Sequence, residues 1–136
     1  MNTSIQFATL SHLECLAKKD HHVNRNMLER KILHKEILVA ILDKKIIAWL
    51  RYSLFWGMIP FIDMLVVNEE NRNKQVGKSL VSFWEKQMKL AHYKMVMTSS
   101  QADEKGQHFF RKMEYKDAGS LILPEESLEI FFIKMI

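Results

Sequence analysis

The segment that most constrains this chain runs from Phe61 to Thr98. Phe61-Ile62-Asp63-Met64-Leu65-Val66-Val67 is apolar on both faces except at Asp63, the pattern of a central buried strand. The polar stretch Asn68 to Lys74 ends it. From Gln75 to Ala91, Val76, Leu80, Phe83, Trp84, Met88 and Ala91 recur at helical spacing, with Glu85 and Lys89 paired at i,i+4 on the outside. Tyr93 to Thr98 reads as another strand. The helix at 75–91 between these two strands is long enough to serve as the crossover that a parallel pair needs.

The remaining segments supply antiparallel partners. Ile5-Gln6-Phe7 is a first strand, and Ser11-His12-Leu13-Glu14 has the S-x-x-E form that caps a helix, here over residues 11–18. A second helix is expected over Asn26 to Leu33, with Lys19-Asp20-His21-His22 as an exposed polar loop between the two. Glu36 to Leu42 and Lys45 to Leu54 flank the short turn Asp43-Lys44 and predict a hairpin. Asp103 to Met113 reads as a helix, and Tyr115 to Leu123 with Leu128 to Ile136 as a closing hairpin around Pro124-Glu125-Glu126. No repeat or linker divides the chain, so its 136 residues are expected to form one α/β (mixed) domain over 1–136.

Composition narrows the function classes. A chain with 48% apolar and 26% charged residues, 4 Gly and 2 Pro, has the makings of a packed core rather than a disordered segment. Its net charge of +4 suits an anionic ligand but is too diffuse for a nucleic-acid binder, and no helix is dense in Arg or Lys. Cys15 is the single cysteine, which excludes an internal disulfide and a multi-cysteine metal site; core packing is its expected role. Of the six histidines, His12, His21, His22 and His34 lie nearest one another in sequence but lack a compact ligand spacing, so no metal is expected. No secretory signal pattern opens the chain, and the apolar region from Ile46 to Val67 is broken by Arg51, Gly57, Pro60 and Asp63. A cytoplasmic protein without a membrane span is the default expectation.

The junction after Val67 carries the chemistry. A helix start presents unpaired backbone N–H groups and the positive end of the helix dipole, and Gly77 lets an anion approach the backbone closely. Arg72, Lys74 and Lys78 add positive charge at the same edge, as a pyrophosphate would require. One glycine is far weaker evidence than a glycine-rich Walker loop or a dinucleotide fingerprint, and the chain has neither. Capped helix with solvated lysines is the competing reading at this point.

At this junction the sequence resembles the GNAT superfamily of N-acetyltransferases, whose acetyl-CoA signature reads Arg/Gln-x-x-Gly-x-Gly/Ala after a strand ending L-x-V. Leu65-Val66-Val67 stands at the strand end, and Arg72-Asn73-Lys74-Gln75-Val76-Gly77 at the loop, with Gln75 replacing the first glycine. A second family segment, Asn-x-x-Ala-x-x-Phe-Tyr-x-Lys-x-Gly-Phe, is matched loosely by residues Asp103 to Tyr115 in the right order and spacing. The resemblance is strong over 61–115 and weak before residue 36.

That resemblance implies a GNAT fold, a twisted, mostly antiparallel sheet with a central parallel strand pair and flanking helices, and an N-acetyltransferase activity. Acetyl-CoA is the implied cofactor and CoA the product, with an unidentified primary amine as acceptor. The backbone of Leu65, Val66 and Val67 would pair with the pantetheine arm like an added strand. Amides from Asn73, Lys74, Gln75, Val76, Gly77 and Lys78 would hold the pyrophosphate beside Arg72, while Asp103, Gly106, Phe109 and Phe110 would flank the cofactor. Phe110 stands where family members often carry a tyrosine that protonates the leaving thiolate, and it has no proton to give. Asp63 is the catalytic candidate: burial in an apolar strand would raise its pKa toward the range of a general base. A carboxylate satisfied by backbone amides or by Arg51 is the structural alternative. Trp49, Tyr52 and Trp56 are of a type that can line an acceptor pocket, although aromatic residues in a hairpin are more often core. A GNAT-like CoA or acyl-CoA binding module with little or no catalysis competes with the enzyme reading, and the sequence leaves open the acceptor and any homodimer.

Overall fold

A computed structural model describes residues 3–136 of the chain. In order, they form β1 (Ser4–Phe7), a 3-10 turn (Leu10–His12), α1 (Leu13–Lys19), α2 (Arg25–Leu33), β2 (Ile37–Leu42), β3 (Lys45–Phe55) and β4 (Ile59–Val67). A second 3-10 turn (Glu69–Asn71), α3 (Val76–Leu90), β5 (Met95–Gln101), α4 (Gly106–Lys112), β6 (Lys116–Leu121) and β7 (Glu129–Met135) complete it. The strands make one seven-stranded sheet in the order β1-β2-β3-β4-β5-β7-β6. It is mostly antiparallel, with β4 and β5 as the parallel pair, so the fold expected from the sequence is the fold observed. Among the described residues no helix is long and apolar enough to cross a membrane.

The chain divides into two compact units. The first comprises the residues up to Tyr52 together with Met64–Trp84. Here β1 pairs with β2 and β2 with β3, placing Ile5 opposite Ala40 and Val39 opposite Trp49. Asp43 and Lys44, at φ of 51° and 65°, are both left-handed, as a two-residue turn between twisted strands requires. Helices α1 and α2 then bury Leu13, Leu16, Leu28 and Ile32 against Ile37, Val39, Ile46 and Trp49. Leu16 and Leu28 are fully enclosed, each worth about 2 kcal/mol of burial. Cys15 packs half-buried against this cluster. From α3, Leu80, Val81 and Trp84 are buried, with Trp84 edge-on to Tyr52 at 5.6 Å.

The second unit comprises Ser53–Asp63 and Glu85–Ile136. Phe61 lies opposite Met97 and Ile62 opposite Thr98, and the buried Thr98 hydroxyl donates to the Ile62 carbonyl at 3.1 Å. Strand β7 runs antiparallel between β5 and β6. Rings fill the space along β7: Phe131 meets Phe55 and Phe61, while Phe132 stacks on Phe110. Glu85 does not pair with Lys89 as its spacing suggests. Its carboxylate accepts the Tyr115 hydroxyl at 2.7 Å and Lys134 Nζ at 3.0 Å, two donors that a half-buried carboxylate needs and an exposed Lys89 does not supply.

Three helices end in the same way. The second residue after the helix turns left-handed, and the next N–H reaches back five residues: Glu36 to Lys31 O, Tyr93 to Met88 O, and Tyr115 to Phe110 O. Lys35, His92 and Glu114 hold the left-handed positions, at φ of 58°, 73° and 71°. Glycine is the usual occupant of that position in a Schellman motif. This closure moves the start of β5 from the expected Tyr93 to Met95, because Tyr93 still serves the end of α3.

Other expectations are corrected locally. Ser11 does not begin a helix; the chain enters through the 3-10 turn after Thr9, whose N–H donates to His12 Nδ1 at 2.9 Å. The loop Lys19 to His22 is not uniformly exposed. Asp20 is only 3% exposed, because Arg51 Nε donates to its Oδ2 at 2.9 Å and the His22 N–H to its Oδ1 at 3.2 Å.

Candidate functional site

The turn between β4 and α3 is built by its backbone. The Asn68 N–H donates to the Ile47 carbonyl at 2.8 Å, and the 3-10 turn Glu69–Asn71 then buries Asn71. Arg72 folds back so that its Nε donates to the Val67 carbonyl at 3.1 Å. Beyond it, Asn73 and Gln75 are left-handed, at φ of 63° and 66°. Turns of this kind aim successive N–H groups into one concavity, the geometry of an anion nest.

Helix α3 starts at once. Its first i to i−4 bond runs from the Ser79 N–H to the Gln75 carbonyl at 3.0 Å, so the N–H groups of Val76, Gly77 and Lys78 have no intrahelical acceptor. Lys74 and Lys78 are exposed beside them, and Gly77 puts no side chain over the amides. Lys74, Val76 and Ser79, with Ile5 of β1 and Thr3 just before that strand, also line a small cavity of about 100 Å3. The donor set is therefore backbone amides, a helix dipole and two ammonium groups, which suits a phosphate-bearing ligand. Gln75, where the sequence departs from the glycine of the motif, keeps the backbone conformation that glycine would adopt without strain.

Ahead of the turn, Leu65, Val66 and Val67 are half-buried. Asp63 differs from its expected environment. Along β4, Pro60 and Ile62 are buried on one face, while Asp63 lies on the opposite face with Ile59, Phe61, Leu65 and Val67, none of which is fully enclosed. It is exposed, and its Oδ1 accepts the Ser53 hydroxyl at 3.0 Å. Burial therefore does not act on this carboxylate.

The second motif falls on α4 and the turn before it. Helix α4 begins at Gly106 rather than near Asp103, and the Asp103 carboxylate accepts the Ser127 hydroxyl at 2.6 Å. Gly106 packs closely: a Cβ there would stand 2.9 Å from Ser100 Oγ, so this position excludes even the alanine of the motif unless Ser100 moves. Phe109 is half-buried. Phe110 is 5% exposed and sits among rings, edge-on to Phe109 at 5.1 Å and to Tyr115 at 5.3 Å. Trp49 and Tyr52 are core residues, whereas Trp56 is 78% exposed at the β3–β4 turn. Sequence reasoning missed the pair Asp20 and Arg51 and the cluster of Glu85, Tyr115 and Lys134, whose partners lie 30 or more residues apart.

Comparison with known proteins bears on the fold and the family. Ard1 from Thermoplasma volcanium superposes with a TM-score of 0.86 at 13% identity, over 100% of this chain and 99% of that one. PaiA N-acetyltransferase from Thermoplasma acidophilum, solved with coenzyme A, gives 0.84 at 16% identity, over 100% of both chains. A GNAT-family acetyltransferase from Bacillus cereus ATCC 10987 gives 0.81 at 21% identity, over 99% and 98%. At such identities these likenesses establish the fold. No curated protein sequence matches the chain. Residues 6–115, which carry both motif segments, match the acetyltransferase (GNAT) family, and to that family the chain belongs.

Proposed function

We propose that this protein is an N-acetyltransferase that takes the acetyl group of acetyl-CoA to a primary amine by direct transfer and releases CoA. The turn from Arg72 to Lys78 carries the reading: it combines left-handed Asn73 and Gln75, the amides of Val76, Gly77 and Lys78 that lack an intrahelical acceptor, and two exposed lysines in a chain of this family. The solved PaiA N-acetyltransferase with coenzyme A, of the same fold, supports the choice of ligand. Thus the amides of Asn73 to Lys78 hold the pyrophosphate. The backbone of Leu65 to Val67 pairs with the pantetheine arm like an added strand. Asp103, Gly106, Phe109 and Phe110 belong to the segment that flanks the cofactor.

In the reaction the amine nitrogen bonds to the thioester carbonyl carbon, the carbon–sulfur bond breaks, and the amine gives up one proton. Asp63 accepts that proton, directly or through water, and the Ser53 hydroxyl fixes its orientation. Positioning of the two reactants supplies much of the rate. Phe110 donates no proton. A CoA thiolate leaves readily because thiols ionise near pH 8.5, far below alcohols.

The test is thiol release from acetyl-CoA against a panel of primary amines, for the wild type and Asp63→Asn. Amine-dependent release that falls at least tenfold in Asp63→Asn, at unchanged acetyl-CoA affinity, is the expected result. A wild type that binds acetyl-CoA and releases no thiol with any amine would instead make the domain a CoA-binding module.

A further inference from the structure

A second cationic concavity lies in the first unit, bounded by α1, the β2–β3 turn and the segment after β4, with a volume of about 500 Å3. Ser11, His12, Lys19, Lys44, Lys45 and Asn68 give it polar groups, Ile46 and Ile47 an apolar floor, and Glu70 its single carboxylate. None of the three lysines takes part in an ion pair among the described residues. Three ammonium groups gathered from two distant segments, with one carboxylate, Glu70, among them, leave a net positive charge that a bound anion offsets.

The donors are held in place. Lys19 Nζ donates to the Ile46 carbonyl at 3.1 Å and keeps two further N–H groups, while Asn68 Nδ2 reaches the same oxygen at 3.3 Å. His12 Nδ1 accepts the Thr9 N–H, which assigns the proton of the neutral ring to Nε2 and makes that nitrogen a donor. No arginine lines the cavity. Arginine forks match planar carboxylates, whereas lysines act as point charges and accept phosphoryl oxygens in any orientation. The volume falls within the range of small-ligand sites, roughly 300–1,000 Å3.

We propose that this cavity is an anion site separate from the turn at Asn73 to Lys78, and that it takes a small molecule carrying two or more phosphoryl groups. The inference does not depend on the acetyltransferase reading. Inorganic pyrophosphate is the probe, titrated at constant ionic strength into 15N-labelled protein, with amide shifts followed at Ser11, His12, Lys19 and Asn68 and, separately, at Asn73 to Lys78. Saturable shifts at the first group are expected in the wild type and in Gly77→Glu, with affinity at least tenfold weaker in Lys44→Glu/Lys45→Glu. Both substituted lysines are exposed, Lys44 in the turn and Lys45 at the first position of β3. If charge reversal harms folding, Lys44→Ala/Lys45→Ala is expected to weaken binding at least threefold. Shifts no larger than those from sodium chloride, or equal affinity in a folded lysine variant, would overturn the proposal. Saturation at the cavity without response at Asn73 to Lys78 would uphold it and count against the phosphate turn.

Discussion

Gln75 offers the sharpest test of how the phosphate turn is built. Its φ of 66° costs a residue with a side chain about 1–2 kcal/mol, and glycine adopts the same conformation without that cost. Glycine also gives the unfolded chain more freedom, which offsets about 0.4–1 kcal/mol of the gain. The Gln75 side chain is exposed and makes no hydrogen bond among the described residues, so no contact is lost, and the carbonyl that caps Ser79 is retained. Gln75→Gly should therefore stabilise the protein by about 0.5–1 kcal/mol, or about 3 °C in Tm for a chain of this size. Urea unfolding of wild type, Gln75→Gly and Gln75→Val would measure it, with the midpoints compared at equal slope. Valine, β-branched and averse to left-handed backbone, should lose about 1 kcal/mol. A glycine variant less stable than wild type, or a valine variant equal to it, would refute the strain argument.

The same logic at the end of α4 makes Glu114→Gly stabilising by about 0.5–1 kcal/mol in urea, since the exposed Glu114 holds φ of 71°. Asp20→Ala removes the buried carboxylate from Arg51 Nε and should cost about 3 kcal/mol, read as a drop in urea midpoint; a loss below 1 kcal/mol would mean that water reaches the guanidinium. Burial, with the Glu85 carboxylate beside it, raises the Tyr115 hydroxyl pKa above its ordinary value of 10.0. A raised folded-state pKa means that the stabilisation is complete below about pH 10 and is lost as pH climbs through the folded value. Tyr115→Phe should therefore be less stable than wild type at pH 7 but lose less stability between pH 10 and 12, as followed by circular dichroism.

What the sequence made legible was what repeats locally. The period of Val76, Leu80, Trp84 and Met88 marked α3, and the apolar runs around Asp43-Lys44 marked the β2–β3 hairpin, because each pattern reports which side chains must leave water. Helix ends were less visible. Lys35, His92 and Glu114 do the work of glycine, and nothing in a lysine, histidine or glutamate announces a left-handed residue. Long-range polar pairs were invisible: Asp20 reads as a loop residue until Arg51, on a strand 31 residues away, is brought to it. At the candidate site, order and spacing pointed to the turn from Arg72 to Lys78, while its left-handed Asn73 and Gln75 became visible only in the structure. The environment of Asp63 was misread because an apolar strand need not be covered on both faces. Phe110 likewise showed its ring-lined setting only in three dimensions.

The central claim is that backbone amides at the start of α3 hold the phosphates of acetyl-CoA, and calorimetry of acetyl-CoA and CoA with wild type and Gly77→Glu tests it most directly. A glutamate in the first turn favours the helix through its dipole, while placing bulk and negative charge where an anion must approach. The account expects similar affinities for acetyl-CoA and CoA in wild type, and at least a hundredfold loss for both in a Gly77→Glu protein that keeps its native circular dichroism. Unchanged affinity in that folded variant would contradict it.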